Sequence, residues 1–185
     1  MVINISGGNQ LLDSPKILKE LGVKEGWKVA DLGCGAVGYF VFPAVKMVGK
    51  EGVVYAVDIR KLVLAGIKNR ARIDGIDNIY AIWSNLEVPK ATGILDNSLD
   101  LAMLINVLFQ NKKREEILAE AIRMVKSGSH LAVIDWKKQK SALGPPLESR
   151  VNIEAVIKFC QENGLTVEEE FEAGKFHFGL LFKKT

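Results

Sequence analysis

The sequence predicts an α/β protein built on an open, mostly parallel sheet. Short apolar or β-branched runs, such as 53–57, alternate with amphipathic segments of helical period, such as 60–73. A glycine-rich turn between residues 33 and 38 links a strand to the helix that follows it. Two apolar runs joined by a tight turn end the chain, and they predict an antiparallel hairpin.

The elements are predicted from where each apolar run begins and ends. Residues 1–13 are expected to form a flexible lead-in, and Asp13 or Ser14 to cap a short helix with Pro15 in its first turn and Gly22 at its end. Parallel strands are predicted at 27–32, 53–57, Ile79–Trp83, Leu99–Ile105 and 130–135. Helices are predicted at 39–48, 60–73, 112–125 (stopped by 126–128) and 150–163 (capped by Ser149). Residues 136–146 are predicted to form a loop, and 165–171 and 176–182 the terminal hairpin.

The glycine turn is the first candidate binding site. Gly33, Gly35 and Gly38 allow the backbone to adopt positive φ and to approach a ligand closely. The helix that follows offers its N-terminal amides to polar or anionic groups. Asp58 ends the second strand, 20 residues beyond Gly38, where a carboxylate can accept hydrogen bonds from both hydroxyls of a ribose.

Asp31 distinguishes between two interpretations of this pattern. The glycine spacing and Asp58 together fit a dinucleotide fingerprint, in which the helix N-terminus receives a pyrophosphate. A carboxylate two residues before Gly33 would repel a pyrophosphate, whereas it would attract a ligand that carries an ammonium and a sulfonium. At Asp31, Gly33, Gly35 and Asp58 the chain resembles the class I S-adenosylmethionine-dependent methyltransferases, whose first motif runs acid-x-Gly-x-Gly-x-Gly. The third glycine of that motif would fall at Val37, and here it comes one residue later.

The resemblance implies a Rossmann-like sheet of seven strands in the order 3-2-1-4-5-7-6. The last strand is antiparallel, and helices cover both faces. It also implies S-adenosylmethionine as cofactor, S-adenosylhomocysteine as product, and one methyltransferase domain over 1–185, with 1–26 as an N-terminal lead-in and helix. In related methyltransferases such an N-terminal segment often borders the substrate opening, although it could equally well only cover the sheet edge.

The resemblance further implies a set of cofactor contacts around the glycine turn and the strand ends. They are Asp31, Gly33, Cys34, Gly35, Gly38, Asp58, Ile59, Asn85, Leu86 and Asn106. Asn85 stands where the family usually has an aspartate, and its amide oxygen can still accept a hydrogen bond from the adenine amino group. A purely structural turn at Asn85 stays open as the alternative.

The residues after the fourth strand bear on the methyl acceptor. Asn106 is followed by Val107-Leu108-Phe109, whereas enzymes that methylate exocyclic amines commonly carry Pro-Pro and an aromatic residue there. An oxygen, sulfur or carbon nucleophile on a small molecule is therefore favoured, and nucleic-acid or protein acceptors stay open. The run from Phe176 to Gly179 is similar to the tail of small quinone-biosynthesis-type methyltransferases. His177 within it is either a base facing the acceptor or, as we favour, a strand-surface residue, and no catalytic residue is named.

Composition limits the class of protein. The chain has 185 residues, 48% of them hydrophobic, and a net charge of +3, which suits a single folded domain and does not argue for a nucleic-acid partner. Two cysteines and two histidines cannot supply a disulfide framework or a metal motif, so no metal is expected. No signal peptide or membrane-spanning run is found, and a cytoplasmic protein is expected.

Two rival functions stay open. One is an NAD-type oxidoreductase, which Asp31 and the terminal hairpin disfavour. The other is a non-catalytic binding subunit that keeps the methyltransferase fold. A homodimer through the hairpin or the N-terminal segment is also compatible with the sequence.

Overall fold

The computed structural model describes residues 8–141 and 143–185. Its strands are β1 Lys28–Leu32, β2 Val53–Asp58, β3 Ile79–Trp83, β4 Leu99–Ile105, β5 Val125–Trp136, β6 Leu165–Gly174 and β7 His177–Lys184. Its helices are α1 Ser14–Glu20, α2 Val41–Val48, α3 Lys61–Ile73, α4 Arg114–Met124 and α5 Ile153–Glu162, with short 3-10 turns at Asn9–Leu11, Leu108–Gln110 and Leu147–Ser149. The part of the predicted lead-in at 1–7 lies outside the described residues.

The strands form one sheet in the order β3-β2-β1-β4-β5-β7-β6, as the sequence predicted. The first five pair in parallel, and β7 pairs antiparallel with both β5 and β6. Because β1 lies between β2 and β4, the chain reverses direction across the sheet at this point. Open α/β sheets bind ligands at such a reversal, outside the carboxyl ends of the strands.

Both faces of the sheet are buried, which explains the nearly continuous apolar character of the central strands. The helices α1, α2 and α3 cover one face through side chains such as Ile17, Val45 and Ile67. The helices α4 and α5 cover the other face through side chains such as Ile117 and Val156. The carboxyl edge of β1 and β4 is left for the loops that carry the candidate site.

The fifth strand is longer at both ends than predicted. Residues 126–128, predicted to stop α4, instead belong to β5, because Val125 pairs with Leu99 and the Lys126 Nζ lies 2.6 Å from a carboxylate oxygen of Asp100. Trp136, predicted to begin the loop, is the last residue of β5 and pairs with His177 of β7. Cross-strand pairing therefore extended β5 over residues whose local sequence favours turns.

Helix starts also differ from prediction, and α4 begins at Arg114 where 112 was predicted. The last helix begins at Ile153, where the Asn152 side chain accepts a hydrogen bond from the Ala155 N–H at 3.1 Å, so the prediction of Ser149 as its cap was wrong. Ser149 lies instead in the preceding 3-10 turn. The helix after the glycine turn begins at Val41, two residues later than predicted, because residues 36–40 continue the turn.

Candidate functional site

The glycine turn leaves β1 with two different requirements for glycine. At Gly33, φ is +91° and a Cβ would lie 2.6 Å from the Val107 side chain, so the turn packs closely against the segment after β4. At Gly35, φ is +67° and a Cβ would meet no atom within 4 Å, so this position faces open space. The N–H groups of Gly33 and Cys34 donate to the Val57 carbonyl at 2.8 and 3.0 Å, which fixes the turn against β2.

Gly38 serves a different purpose. A Cβ there would fall 2.6 Å from Ile67 and 2.9 Å from Phe42, so Gly38 allows α2 and α3 to pack closely. It is not among the residues that line the two cavities described below. The structure thus gives Gly38 a packing role, and its predicted contact with the cofactor stays a prediction.

Asp58 lies at the carboxyl end of β2, 5% exposed, with its carboxylate held by neighbouring donors. One oxygen accepts the Gly35 N–H at 3.1 Å, and the other accepts the Arg60 N–H at 2.9 Å. The Arg60 guanidinium donates to both oxygens, at 3.2 and 3.4 Å. The carboxylate therefore connects the glycine turn to the start of α3 and faces the cavity between them.

Two adjoining cavities of about 290 Å³ each open at the carboxyl ends of β1 and β4. Gly33, Arg60 and Gln110 line both of them, so the cavities meet at these residues. Other residues lining the first cavity include Asp58, Ile59, Ser84, Asn85, Leu86 and Val107. Other residues lining the second include Asn9, Gln10, Cys34, Gly35, Tyr39 and Asn106. Most of the residues predicted from sequence are thereby brought to one place.

Asn85 and its neighbours form one wall of the first cavity. The Asn85 side-chain oxygen accepts the Glu87 N–H at 2.9 Å, so the structural turn considered as the alternative is present. An amide oxygen has two lone pairs, and the second remains for a ligand donor. Leu86 is buried and Ile59 is more than half exposed, and both add apolar surface suited to a flat ring.

Asn106 follows β4 with φ of +56°, an uncommon conformation for a residue other than glycine. Its Nδ2 donates to the Asn9 Oδ1 at 2.8 Å, and its carbonyl accepts from the Gln110 Nε2 at 2.7 Å. Its own Oδ1 is buried without a hydrogen-bond partner among residues 8–141 and 143–185. Backbone strain and an unpartnered oxygen at one residue mark a binding position.

Asp31 is buried beneath the turn, 2% exposed, and does not line either cavity. Burial, and secondly the nearby Asp58 carboxylate, raise the pKa of Asp31 to about 7. Burial also raises the pKa of the Cys34 thiol far above its usual range, so Cys34 stays protonated and is no nucleophile. Ionisation of the buried Asp31 carboxyl group is therefore unfavourable unless a cation lies nearby.

Arg60, Gln110 and Asn9 are among the cavity residues that were not identified from the sequence. Arg60 and Gln110 could have been found by position, since Arg60 follows Asp58 by two residues and Gln110 follows Asn106 by one helical turn. Asn9 gave no local signal, because its contact with Asn106 joins residues 97 positions apart.

These residues fit S-adenosylmethionine in chemistry and in available space. Asp58 offers a carboxylate for ribose hydroxyls, and the open position at Gly35 leaves room for close approach. The unpartnered oxygen of Asn106 and the buried Asp31 suit the ammonium and sulfonium groups of the cofactor. Among the described residues, no cluster of three His, Cys, Asp or Glu side chains could hold a metal ion. No helix in the described part is long and apolar enough to cross a membrane.

The fold and this site together define a class I S-adenosylmethionine-dependent methyltransferase. A family model described as a methyltransferase domain matches residues 23–171, so the chain belongs to this methyltransferase family. S-Adenosylmethionine is accordingly its cofactor. The interpretation as an NAD-type protein is thus disfavoured by the family as well as by Asp31.

Individual relatives agree with the family. The chain is 28% identical over 149 residues to a ubiquinone/menaquinone biosynthesis C-methyltransferase from Cupriavidus taiwanensis, covering 80% of this chain and 58% of the relative. It thus spans less than two thirds of that relative's length. A SAM-dependent methyltransferase from Aquifex aeolicus superposes with a TM-score of 0.83 at 30% identity, covering 97% of this chain and 94% of the other. The [4+2]-cyclase SpnF, at 13% identity and covering 95% of this chain and 80% of its own, has a TM-score of 0.77 and shares the fold.

Proposed function

We propose that this protein transfers the methyl group of S-adenosylmethionine to a carbon atom of a small-molecule acceptor. The observation that carries the proposal is the pair of adjoining cavities at the β1–β4 edge, which Gly33, Arg60 and Gln110 share. The first has the groups for a nucleoside and the second those for an amino-acid end. The carbon acceptor is supported by the relatives named as ubiquinone/menaquinone biosynthesis C-methyltransferases.

In this proposal each wall of the cavities holds one part of the cofactor. Asp58 accepts hydrogen bonds from the two ribose hydroxyls, and Asn85 and Leu86 hold the adenine. Asn106 accepts from the ammonium group, and the buried carboxyl of Asp31 favours positive charge nearby. The bound cofactor supplies a methyl group made electrophilic by its sulfonium.

Catalysis by positioning is the mechanism we propose. When bound, the cofactor would supply the methyl group and its sulfur would keep the carbon–sulfur electron pair. The residues lining the two cavities would align the acceptor carbon, which would form the new bond and then release its proton to solvent. Charge is dispersed in this reaction, so alignment in a shaped, largely dry pocket supplies most of the rate enhancement. Neither histidine is among the residues lining the two cavities, which supports naming no strong catalytic base.

A small-molecule acceptor is favoured over an exocyclic amine by the segment after Asn106. Val107 packs on Gly33 and Leu108 is fully buried, so this segment is tied into the core and is not free to clamp a flipped base. A binding subunit without turnover is the competing function, since a shared fold does not by itself establish catalysis.

Methyl transfer from radiolabelled S-adenosylmethionine to a panel of phenols, enols, thiols and nucleosides tests the proposal. The wild-type protein should label a carbon acceptor, and the Asp58→Ala variant should label it far more slowly at the same cofactor concentration. Labelling of nucleosides alone would contradict the proposed acceptor class. Cofactor binding without labelling of any acceptor class would support the binding-subunit alternative.

We also propose that the 185 residues act as one domain in the cytoplasm, with no macromolecular acceptor. A homodimer remains a proposal that sedimentation at several protein concentrations tests. A concentration-independent monomer mass would contradict it.

A further inference from the structure

Two buried aromatic side chains, Trp136 and His177, line neither cavity, and the backbone of Gly8, which precedes the cavity residue Asn9, packs on the Trp136 ring. They are directly opposed on β5 and β7, with ring centroids 4.3 Å apart, and each is at most 1% exposed. Both point to the face of the sheet that α1, α2 and α3 cover, as Ile134 does two residues before Trp136. The predicted strand-surface position for His177 was therefore wrong, because its imidazole is fully buried and packs against the Trp136 ring of the neighbouring strand.

The polar atoms of this pair have no partners. Three buried nitrogens have no hydrogen-bond partner in the described ranges 8–141 and 143–185. They are the two ring nitrogens of His177 and the indole Nε1 of Trp136. Each unsatisfied buried group costs about 1–3 kcal/mol, so three at one place call for a functional explanation. The structure thus places unpartnered hydrogen-bond donors and an unpartnered acceptor beside an aromatic surface.

A positive charge lies against the same ring. The Arg150 guanidinium is centred 5.7 Å from the Trp136 ring and is 4% exposed as a residue. Its partners are neutral oxygens of the loop after β5: the carbonyls of Lys137, Gln139, Leu143 and Pro145 and the hydroxyl of Ser141. These oxygens use all five N–H donors of the guanidinium, and no carboxylate is among them in the part of the chain described here. The positive charge is therefore not paired with an acid and would attract a nearby anion through space.

His177 is neutral in this environment. Burial first, then the charges of Arg150 and Lys137, lower the pKa of His177 to about 4. A neutral imidazole presents one N–H donor and one acceptor nitrogen. His177 can therefore donate a hydrogen bond to an oxyanion while the imidazole itself stays uncharged.

The N-terminal turn joins this pair to the second cavity. Gly8 has φ of +79°, and a Cβ there would fall 2.4 Å from the Trp136 ring, so the backbone lies directly on the indole. The next residue, Asn9, bonds the Asn106 side chain and lines the second cavity. Asn106 is itself held to β5 by its N–H, which donates to the Ile134 carbonyl at 2.8 Å. One short turn thus covers part of the Trp136 ring, which Gly144 of the loop after β5 also contacts, and borders the second cavity.

We propose that Trp136 and His177 are the acceptor-binding residues, that they take a flat conjugated oxyanion, and that it enters when the Gly8–Leu11 turn moves aside. The ring stacks on Trp136, His177 donates to its oxygen, and Arg150 stabilises the negative charge. An enolate or phenolate in this position has raised electron density on the carbon next to its oxygen-bearing carbon. This assignment rests on the proposed function, because it places the acceptor beside the cofactor cavity.

The test uses 4-nitrophenolate as the probe and 4-nitroanisole, which lacks the oxyanion, as its matched control ligand. Both are titrated into the S-adenosylhomocysteine complex while the three indole N–H signals are followed by NMR, with Trp136 assigned from a Trp136→Phe variant. We expect 4-nitrophenolate to shift the Trp136 signal and 4-nitroanisole to bind at least about tenfold more weakly, the loss for one hydrogen bond to a charged group.

The variant His177→Phe should weaken the binding of 4-nitrophenolate by about tenfold or more and leave the affinity for S-adenosylhomocysteine unchanged. His177→Gln, which keeps a donor, should restore part of the loss. His130→Gln is the control, since His130 pairs with Glu168 elsewhere on the sheet. Equal affinity in His177→Phe, shifts at Trp27 or Trp83 in place of Trp136, or no binding to the wild-type complex would overturn the assignment. If the wild-type protein did not bind S-adenosylhomocysteine at all, the proposed function itself would be refuted. Failure of the acceptor assignment is therefore distinguishable from failure of the proposed function.

Discussion

The Asp58 carboxylate accepts a hydrogen bond from the backbone N–H of Gly35 at 3.1 Å, across 23 positions of sequence. The acid that ends β2 and the glycine that borders the second cavity are therefore one structural unit. A change at either residue acts on the other, because the carboxylate orients the turn while it faces the proposed ribose. The variants below separate these two effects.

Gly35→Val should abolish cofactor binding while leaving the sheet folded. A side chain at Gly35 would project into open space within the site, and φ of +67° adds a backbone cost of about 1–2 kcal/mol. Gly75→Val is the matched control, since Gly75 has φ of +65° and open space but lies away from the cavities. Both variants should lose similar unfolding free energy in urea, and Gly35→Val alone should lose S-adenosylhomocysteine binding in calorimetry. Undiminished binding would refute the turn as the cofactor cradle.

Asp58→Ala should weaken cofactor binding more than Asn85→Ala. A hydrogen bond to a charged group contributes about 1.5–3 kcal/mol and a neutral one about 0.5–1.5 kcal/mol. Asp58→Ala should therefore raise the Kd for S-adenosylhomocysteine roughly ten- to a hundredfold, and Asn85→Ala less. If Asn85→Ala were far more damaging, with both variants folded by circular dichroism, the ribose would not lie at Asp58.

Arg60→Met should leave the Kd for S-adenosylhomocysteine within about threefold, or lower it. The Arg60 side chain is 59% exposed, and such a pair contributes about 0–1 kcal/mol. Its guanidinium takes up acceptor positions on Asp58 that ribose hydroxyls need, so removing it frees the carboxylate. A tenfold rise in Kd, measured by calorimetry, would instead assign Arg60 a direct contact with the cofactor.

Asp31→Asn should flatten the pH dependence of stability in the cofactor-free protein. The pKa of Asp31 is raised from 3.8 to about 7 on folding, so between about pH 4 and 7 the folded state keeps a proton that the unfolded state has released. The free energy of unfolding therefore falls as pH rises through this window, by at most about 1.4 kcal/mol per unit for one group.

Asp135, whose pKa burial also raises to about 7, contributes a similar downward slope, whereas His177, whose pKa is lowered to about 4, contributes an upward slope below about pH 6.5. Asp31→Asn should therefore remove most of the net downward slope below about pH 6.5, about half of it between about pH 6.5 and 7, and stabilise the protein at pH 8. Urea unfolding from pH 4 to 8 measures this, with the exposed Asp77→Asn as control. An unchanged slope in Asp31→Asn would show that Asp31 is ionised and compensated in the folded protein.

The parts of the fold that depend on local sequence could be predicted. The β-branched run before Asp58 and the glycines after Asp31 locate two strand ends within one residue. Because parallel strands end at a common edge, Asp58, Asn85 and Asn106 could be assigned to one site before their contacts were known. The apolar pattern of the last two strands likewise predicted the hairpin.

The parts that depend on distant partners could not be predicted. His177 is flanked by aromatic residues in a strand, and its burial depends on Trp136, which lies opposite it on β5 and packs against its ring. The residues at 126–128 favour a turn locally, and pairing with β4 draws the adjoining Val125 into the sheet. Arg150 gives no sequence signal for its role, since its partners are backbone carbonyls, which any residue supplies.

Calorimetric titration of the protein with S-adenosylhomocysteine and with NAD tests the central claim most directly. Asp31, buried behind the turn that Gly33 and Gly35 form, favours the ammonium group of S-adenosylhomocysteine and disfavours a pyrophosphate. The account predicts one-to-one binding of S-adenosylhomocysteine, lost in Gly35→Val, and no heat from NAD. Binding of NAD with no binding of S-adenosylhomocysteine would contradict it.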